Sequence, residues 1–467
     1  MTADPGPAGS GGKGTQTYRW QQWVGCTKGR CLMVARALRR QLEGTWRAVL
    51  FQFRMLAQRV RAQHILRRLA GKESIRVAFL VIHDDVWKLD DLFKAMLARP
   101  DFEPIVVICP VTTFGLEHMR EVMRRATAAV SGKGFQTFPA ADPSTGLSTS
   151  VIGILKPDVV FFTNPHSITS PDCSIAAFGG SLACYVPYGI MCANIQKMQY
   201  DLDFHGLLWR HYVETPTHAA MAQRYGRARG RNVVVTGYPQ GDALHPPARA
   251  RSDPWKKAQG TPRRIIWAPH HTIEDDREKL AYSTFLELHQ FFMDLATTHQ
   301  KDIQIAFKPH PMLRPKLEAH PNWGVDRTNA YFASWDKFEN GQVVEGDYVD
   351  LFLASDALVH DSISFIAEYG YTLKPSLFLV RDETIPRKFN EFGVMALDAA
   401  YKARTPEEIA TFINDVVLLG RDPKQGDRQR FFEQQLTPPN GRSATENILD
   451  DLVSSIRGRR HPNSKGI

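Results

Sequence analysis

From Ile75 onward the chain alternates between short, continuously apolar runs and longer segments whose apolar residues recur every three or four positions. The runs are IRVAFLVI at 75–82, PIVVICP at 104–110, PDVVFFTNP at 157–165, ACYVPYG at 183–189 and NVVVTGYP at 232–239. Between them the helical period predicts helices near 87–97, 116–130 and 215–228. A run apolar on both faces suits a parallel strand covered by helices on each side, because a solvated face would bring polar residues in at every second position. Residues 73–240 are therefore expected to form one Rossmann-like α/β domain.

Residues 241–263, GDALHPPARARSDPWKKAQGTPR, turn polar and proline-bearing and read as a linker. A second alternation fills 264–440: RIIWAP at 264–269, a helix over 282–298, IQIAFKP at 303–309, DALVHD at 356–361, a helix at 363–371 and PSLFLV at 375–380. Helical patterns recur near 405–420 and 443–457, so 441–467 reads as a C-terminal helix and tail. Two doubly wound domains on a short linker leave a cleft between them. In such sheets ligands sit beyond the carboxyl ends of the strands, where the loops face that cleft.

The first 72 residues obey different rules. Residues 1–20 are rich in Gly and Pro and are expected to be disordered. Over 21–72 the apolar positions Val34, Leu38, Leu42, Trp46, Val49, Phe53, Leu56 and Val60 step by three or four, with arginines between them. Met1 to Lys72 holds fourteen Lys/Arg against two acids, a net +12, so with +9 for the whole chain the remainder carries −3. A basic amphipathic helix with Trp and Phe on its apolar side suits an anionic bilayer surface, here through residues 28–72. The same pattern also describes a helix packed on the body with its arginines in solvent. No nucleic-acid module accompanies the charge, so nucleic acid is not expected as a partner. No run reaches the roughly 20 apolar residues of a membrane span. The start has no basic end leading into an apolar block, so the chain is expected to be cytoplasmic and peripheral on the inner face of the membrane. Six scattered cysteines without a CxxC pair predict reduced thiols and no zinc site.

The candidate chemistry lies at three strand ends of the second half. RIIWAP runs into His270-His271-Thr272, IQIAF into Lys308-Pro-His310-Pro, and DALV into His360-Asp361-Ser362-Ile-Ser364. Prolines on both sides of His310 pin the backbone there. Singly, each group has a structural explanation as a cap or a turn; jointly they suit a diphosphate, which needs fixed cations and hydrogen-bond donors. Asp361 or Ser362 is expected to cap the next helix, adding its N–H groups to the Ser362 and Ser364 hydroxyls. Glu368, one turn on, is placed to accept from a donor's polyol or ribose hydroxyl.

FKPHP, with SDALVHDSISFIAEYGYTLKPSLF farther along, resembles the CDP-glycerol glycerophosphotransferase family of teichoic-acid primases and polymerases. WAPHHTI at 267–273 and VTGYPQGD at 235–242 add to the likeness, which spans about 75–400. The resemblance implies a GT-B architecture, with the nucleotide donor held mainly by the second domain. It also implies attack of an acceptor hydroxyl on the donor's β-phosphorus, releasing CMP, with no cofactor and no obligatory metal. Lys308, His310, His271, His360, Ser362, Ser364 and Glu368 are then the donor-side candidates. The acceptor is a glycan or lipid-linked hydroxyl.

One departure stands out. Where family members carry Trp-His-Gly-Thr with the general base, this chain reads Tyr185-Val-Pro-Tyr188-Gly189-Ile. Tyrosine, with an ordinary pKa of about 10, is a poor base near neutrality. Tyr188 and Gly189 are thus acceptor-side residues, and His83, Asp84, His270 and His271 are the replacement candidates, with His310 as the main catalytic group. The alternatives are a GT-B glycosyltransferase using a nucleotide sugar and a catalytically impaired scaffold of polysaccharide assembly. A metal-dependent GT-A enzyme using Asp201-Leu-Asp203 fits a two-domain chain less well.

Overall fold

The computed structural model describes residues 45–458 apart from 47, 85–86 and 275–280. The expectations for residues 1–20, for 21–44 and for the tail beyond 458 lie outside the described residues. The chain forms two units, Met1–Ala57 and a body of Gln58–Ile467. In the first, the described residues are helical.

In the body, continuously apolar runs become strands buried on both faces. The first sheet holds β1 (Ile75–Val81), β2 (Phe102–Ile108), β3 (Thr137–Pro139), β4 (Val159–Phe162), β5 (Leu182–Tyr185), β6 (Arg210–Val213) and β7 (Val233–Val235). All pairs are parallel, in the order β3-β2-β1-β4-β5-β6-β7. The second sheet holds β8 (Arg263–Ala268), β9 (Ile303–Phe307), β10 (Gly341–Val343), β11 (Ala357–His360), β12 (Ser376–Leu379) and β13 (Tyr401–Ala403), again all parallel, in the order β10-β9-β8-β11-β12-β13. The chain winds outward in one direction, returns to the centre and winds out in the other, so each sheet has a topological switch point: β1/β4 in the first and β8/β11 in the second.

The pattern missed β3, β6, β10 and β13, which have three or four residues each. Unlike the equally short apolar runs VVFF and VVV, these strands (TFP, RHYV, GQV and YKA) are interrupted by polar residues or proline, and RHYV in β6 is polar at its start because Arg210 reaches the carboxylate of Asp451 (2.8 Å). Asp451 lies on the C-terminal helix Ala444–Arg457, whose Ile448, Leu452 and Ile456 complete the apolar core of the first domain. The expected C-terminal helix therefore packs into the first domain. Its start is fixed by a capping box between Ser443 and Glu446. The end of the basic amphipathic segment is core as well: Ala62, Ile65 and Leu69 are buried in the same cluster, and Lys72 pairs with the Asp158 carboxylate.

A second apolar cluster crosses between the domains, joining Ile190, Cys192 and Met221 to Phe389, Phe392 and Ala396. Polar bonds fix it: the Asn390 side chain donates to Met191 O (2.6 Å), Asn390 N–H to Cys192 O (2.8 Å) and Asn194 N–H to Lys388 O (2.8 Å). Gly393 permits the close approach, since a Cβ there would lie 2.4 Å from Cys192 O. The domains are thus welded along one side and parted along the other, which leaves the cleft.

Lys374 ties the second domain together by donating to the carbonyls of Phe352 (3.1 Å), Leu353 (2.7 Å) and Ser355 (2.6 Å) at the end of the helix Val349–Leu353. Burial lowers its ammonium to about 8. Because the folded pKa lies below the unfolded value, the desolvation cost is fully present below pH 8 and disappears as pH rises toward the unfolded value, so this group makes stability rise across that window. Lys374→Met is expected to lose about 1–3 kcal/mol through its unsatisfied carbonyls and to flatten that alkaline rise. Denaturant titrations at several pH values check both effects.

Candidate functional site

A cleft of about 940 Å³ opens between the carboxyl ends of the two sheets. Its second-domain wall comes from the switch point: His270 after β8, Lys308 and His310 after β9, Ser362 and Ser364 after β11, then Glu368. Because β9, β8 and β11 are neighbours in space, the three strand ends meet. The first-domain wall includes Asp84, Trp87, Lys88, Tyr188 and Gly189.

The centre of the second-domain wall is held by Asp361. Its fully buried carboxylate accepts from the backbone N–H of His270, from Thr284 N–H (2.6 Å) and from Thr284 Oγ1 (2.8 Å). Burial pushes this carboxyl up to about 7 in spite of these donors. Asp361 therefore does not cap the next helix, and neither does Ser362. That helix is only Phe365–Glu368, continued by a 3₁₀ turn, with Ser364 at its start making no side-chain cap bond. The expected helix-terminus contribution gives way to the serine hydroxyls and the loop itself.

His310 has its Nδ1 accepting from Met312 N–H (3.1 Å), so the neutral ring carries its proton on Nε2. Burial, with His271, Lys308 and Lys316 nearby, lowers its pKa to about 3. It is a hydrogen-bond donor rather than the fixed positive charge expected from sequence. Lys308 is buried too, with its ammonium donating to Gly346 O (2.8 Å) and lying 5.9 Å from the Tyr348 ring centroid. His271 and His270 stand beside His310, with ring centroids 4.3 and 5.1 Å away. Burial brings His271 down to about 4 and His270 well below the usual histidine range. The His270 Nδ1 lies 2.9 Å from Thr272 Oγ1.

The structure does not bring His360 to the cleft wall with the others. It has no exposure, its Nδ1–H donates to Ser362 O (2.9 Å), and its ring packs on Phe378 inside the domain. Alternation along β11 explains this: residue 360 still belongs to the strand and points into a layer, and the chain turns toward the cleft only at Ser362. Glu368 lines the cleft, yet its carboxylate accepts from Tyr348 Oη; burial raises its pKa, with Lys88 opposing.

Sequence reasoning passed over Lys88 and Tyr348. Lys88, from the first domain, sits 4.8 Å from the centroid of the second-domain Tyr348 and so spans the cleft. Its signal was position alone, in the loop after β1 at the other switch point. In that loop Asp84 lines the cleft and accepts from Arg125 (2.8 Å), whereas His83 is half-buried and not part of the cleft wall. Desolvation holds the Tyr188 phenol above its ordinary pKa, so it stays protonated near neutrality and is not available as a base. Asp201 and Asp203 both pair with Arg227 (2.9 Å each), which commits that DxD to an ion pair.

The family profile described as CDP-Glycerol:Poly(glycerophosphate) glycerophosphotransferase matches residues 194–453, more than half of the 467-residue chain. The chain belongs to this family.

Solved structures share the fold of this glycerophosphotransferase-family chain. The wall teichoic acid polymerase TagF is 13% identical, with 90% of this chain and 98% of that one covered and a TM-score of 0.53. A protein described as a UDP-N-acetylglucosamine 2-epimerase from Listeria monocytogenes is 16% identical over 84% of this chain and 100% of that one, with a TM-score of 0.53. A UDP-GlcNAc 2-epimerase from Neisseria meningitidis bound to UDP-GlcNAc is 14% identical over 82% of this chain and 100% of that one, also at 0.53. No curated protein sequence matches the chain significantly. The two-sheet architecture of these neighbours is the GT-B arrangement expected from the sequence.

Asp361→Ala is expected to strip three donors of their common buried acceptor. Each buried unsatisfied group typically costs about 1–3 kcal/mol, so thermal unfolding should shift down by about ten degrees or more, or the chain should not accumulate. A midpoint equal to wild type would show that Asp361 does not hold the loops.

Proposed function

We propose that this chain transfers glycerol phosphate, or a related polyol phosphate, from a CDP-activated donor to a hydroxyl of a glycan or lipid-linked acceptor. The setting is assembly of a teichoic-acid-like or capsular polymer. The observation that carries the reading is the convergence of Lys308, His310, Ser362 and Ser364 on one cleft wall, in a chain of this family. An acceptor oxygen attacks the β-phosphorus; the new O–P bond forms, the P–O bond to CMP breaks, and the acceptor proton goes to a base on the first-domain side.

Asp84 is our choice for that base, because it lines the cleft on the acceptor side and His83 does not. His310 donates its Nε2–H to a diphosphate oxygen, and Ser362 and Ser364 donate hydroxyls. Lys88 supplies positive charge from the facing wall. Pre-positioned groups of this kind act most strongly where charge develops in the transition state.

A second reading, a nucleotide-sugar glycosyltransferase, draws support from Tyr188 standing where the family's base is expected. A thermal-shift series with CDP-glycerol, CDP-ribitol, CMP-sugars and UDP-sugars separates the two, since a ligand that binds the native state raises apparent stability. The largest upward shift is expected from a CDP-polyol; a shift with UDP-sugars alone would favour the second reading. His310→Ala is expected to lower turnover about 10²–10³-fold, with the folded state intact. Full activity in that variant would remove His310 from the mechanism.

The reading places the enzyme on the inner membrane face. No helix among the described residues is long and apolar enough to cross a membrane. Support for surface attachment comes from Trp46, Phe53 and Leu56, which are 66%, 65% and 57% exposed on a basic helix. Trp46→Ser/Phe53→Ser/Leu56→Ser should leave the body folded and abolish co-sedimentation with anionic vesicles. Unchanged sedimentation would overturn the attachment.

A further inference from the structure

His270, His271 and His310 form a cluster that the transfer reaction as proposed uses only in part. One nitrogen of each ring lies within 4.8 Å of one nitrogen of each of the others. Ring centroids are 4.3 Å apart for His270–His271, 4.3 Å for His271–His310 and 5.1 Å for His270–His310. The His271 Nδ1 is buried without a hydrogen-bond partner among the described residues. A polar atom left so in a polar pocket calls for a ligand.

The geometry points to a binding site for one borderline divalent cation of the zinc class, held by three imidazoles with its fourth position open to the cleft. In such a site each nitrogen lies about 2.0–2.1 Å from the metal, which sets the nitrogens about 3.3 Å apart. The nitrogens, now within 4.8 Å of one another, must draw together by side-chain rotation to reach that spacing. An all-nitrogen set selects Zn²⁺, Ni²⁺ or Cu²⁺ over Mg²⁺ or Ca²⁺.

The surroundings fit this assignment. His270 has its Nδ1 against Thr272 Oγ1, the kind of outer contact that fixes a ligating ring and leaves Nε2 for the metal. The neighbouring Lys316 ammonium is paired with the Glu274 carboxylate, so its charge is balanced locally. His310 must change: ligation through Nε2 moves its ring proton to Nδ1 and releases the Met312 amide, so the cation-bound form has no Nε2–H to donate to a diphosphate oxygen and the two roles of His310 exclude each other. His270 and His310 both line the cleft, so the open position faces the place of a diphosphate oxygen. Such a site departs from the metal-free expectation of the sequence, which rested on cysteine spacing and on the family resemblance. It does not depend on the identity of the donor.

The test is a Co²⁺ titration of untagged, EDTA-treated full-length protein. Wild type is expected to develop the intense visible d–d absorption of a tetrahedral site, saturating at one equivalent, abolished by Zn²⁺ and altered by inorganic pyrophosphate. His271→Ala and His310→Ala, at half-buried positions, should each weaken Co²⁺ binding by about 100-fold or more, while far-ultraviolet circular dichroism stays native. No saturable d–d band in wild type, or a His271→Ala titration matching wild type, would overturn the site. Failure of CDP-glycerol to bind would leave this result standing.

Discussion

One carboxylate without solvent exposure, that of Asp361, joins the loop after β8, the loop after β11 and the start of the helix Phe285–Thr298. Two of the three strand-end loops on the second-domain wall are tied to it. The His270 amide it holds sets the neighbouring ring, which stands against His310, and the turn it anchors delivers Ser362 and Ser364. A buried carboxyl is costly on its own, and three donors offset that cost. The fold therefore keeps a charged-type residue at its centre to hold this wall of the cleft.

The second constraint is the asymmetry between the domains. An apolar cluster and asparagine–backbone bonds close one side, and the C-terminal helix returns to complete the first-domain core. What remains open is lined at each end by a topological switch point. Lys88 and Tyr348 face each other across it, so a ligand reaching from one wall meets charge and aromatic surface on the other.

The two Rossmann-like halves were readable because their central strands are buried on both faces and are therefore unbroken apolar runs. The strands β3, β6, β10 and β13 were not, because polar residues or proline break them and leave no apolar run to read. The strand-end rule brought His270, Lys308, His310 and the serines to one wall, since loops at adjacent strand ends must converge. It failed for His360, which still lies within β11 and turns inward, and for Asp361, whose polar character suggested a cap although its bonds run back into the core. Sequence carries no direct signal for such long-range polar bonds. The facing of Lys88 and Tyr348 across the cleft likewise depends on tertiary placement.

The central claim is phosphoryl transfer from a CDP-polyol, and phosphorus NMR tracks it atom by atom. With CDP-glycerol, a glycan or lipid-linked polyol acceptor and this chain, the account predicts loss of both diphosphate resonances and matched growth of a CMP phosphomonoester and a new phosphodiester. A diphosphate spectrum unchanged by enzyme and acceptor, alongside consumption of a nucleotide sugar under the same conditions, would contradict it.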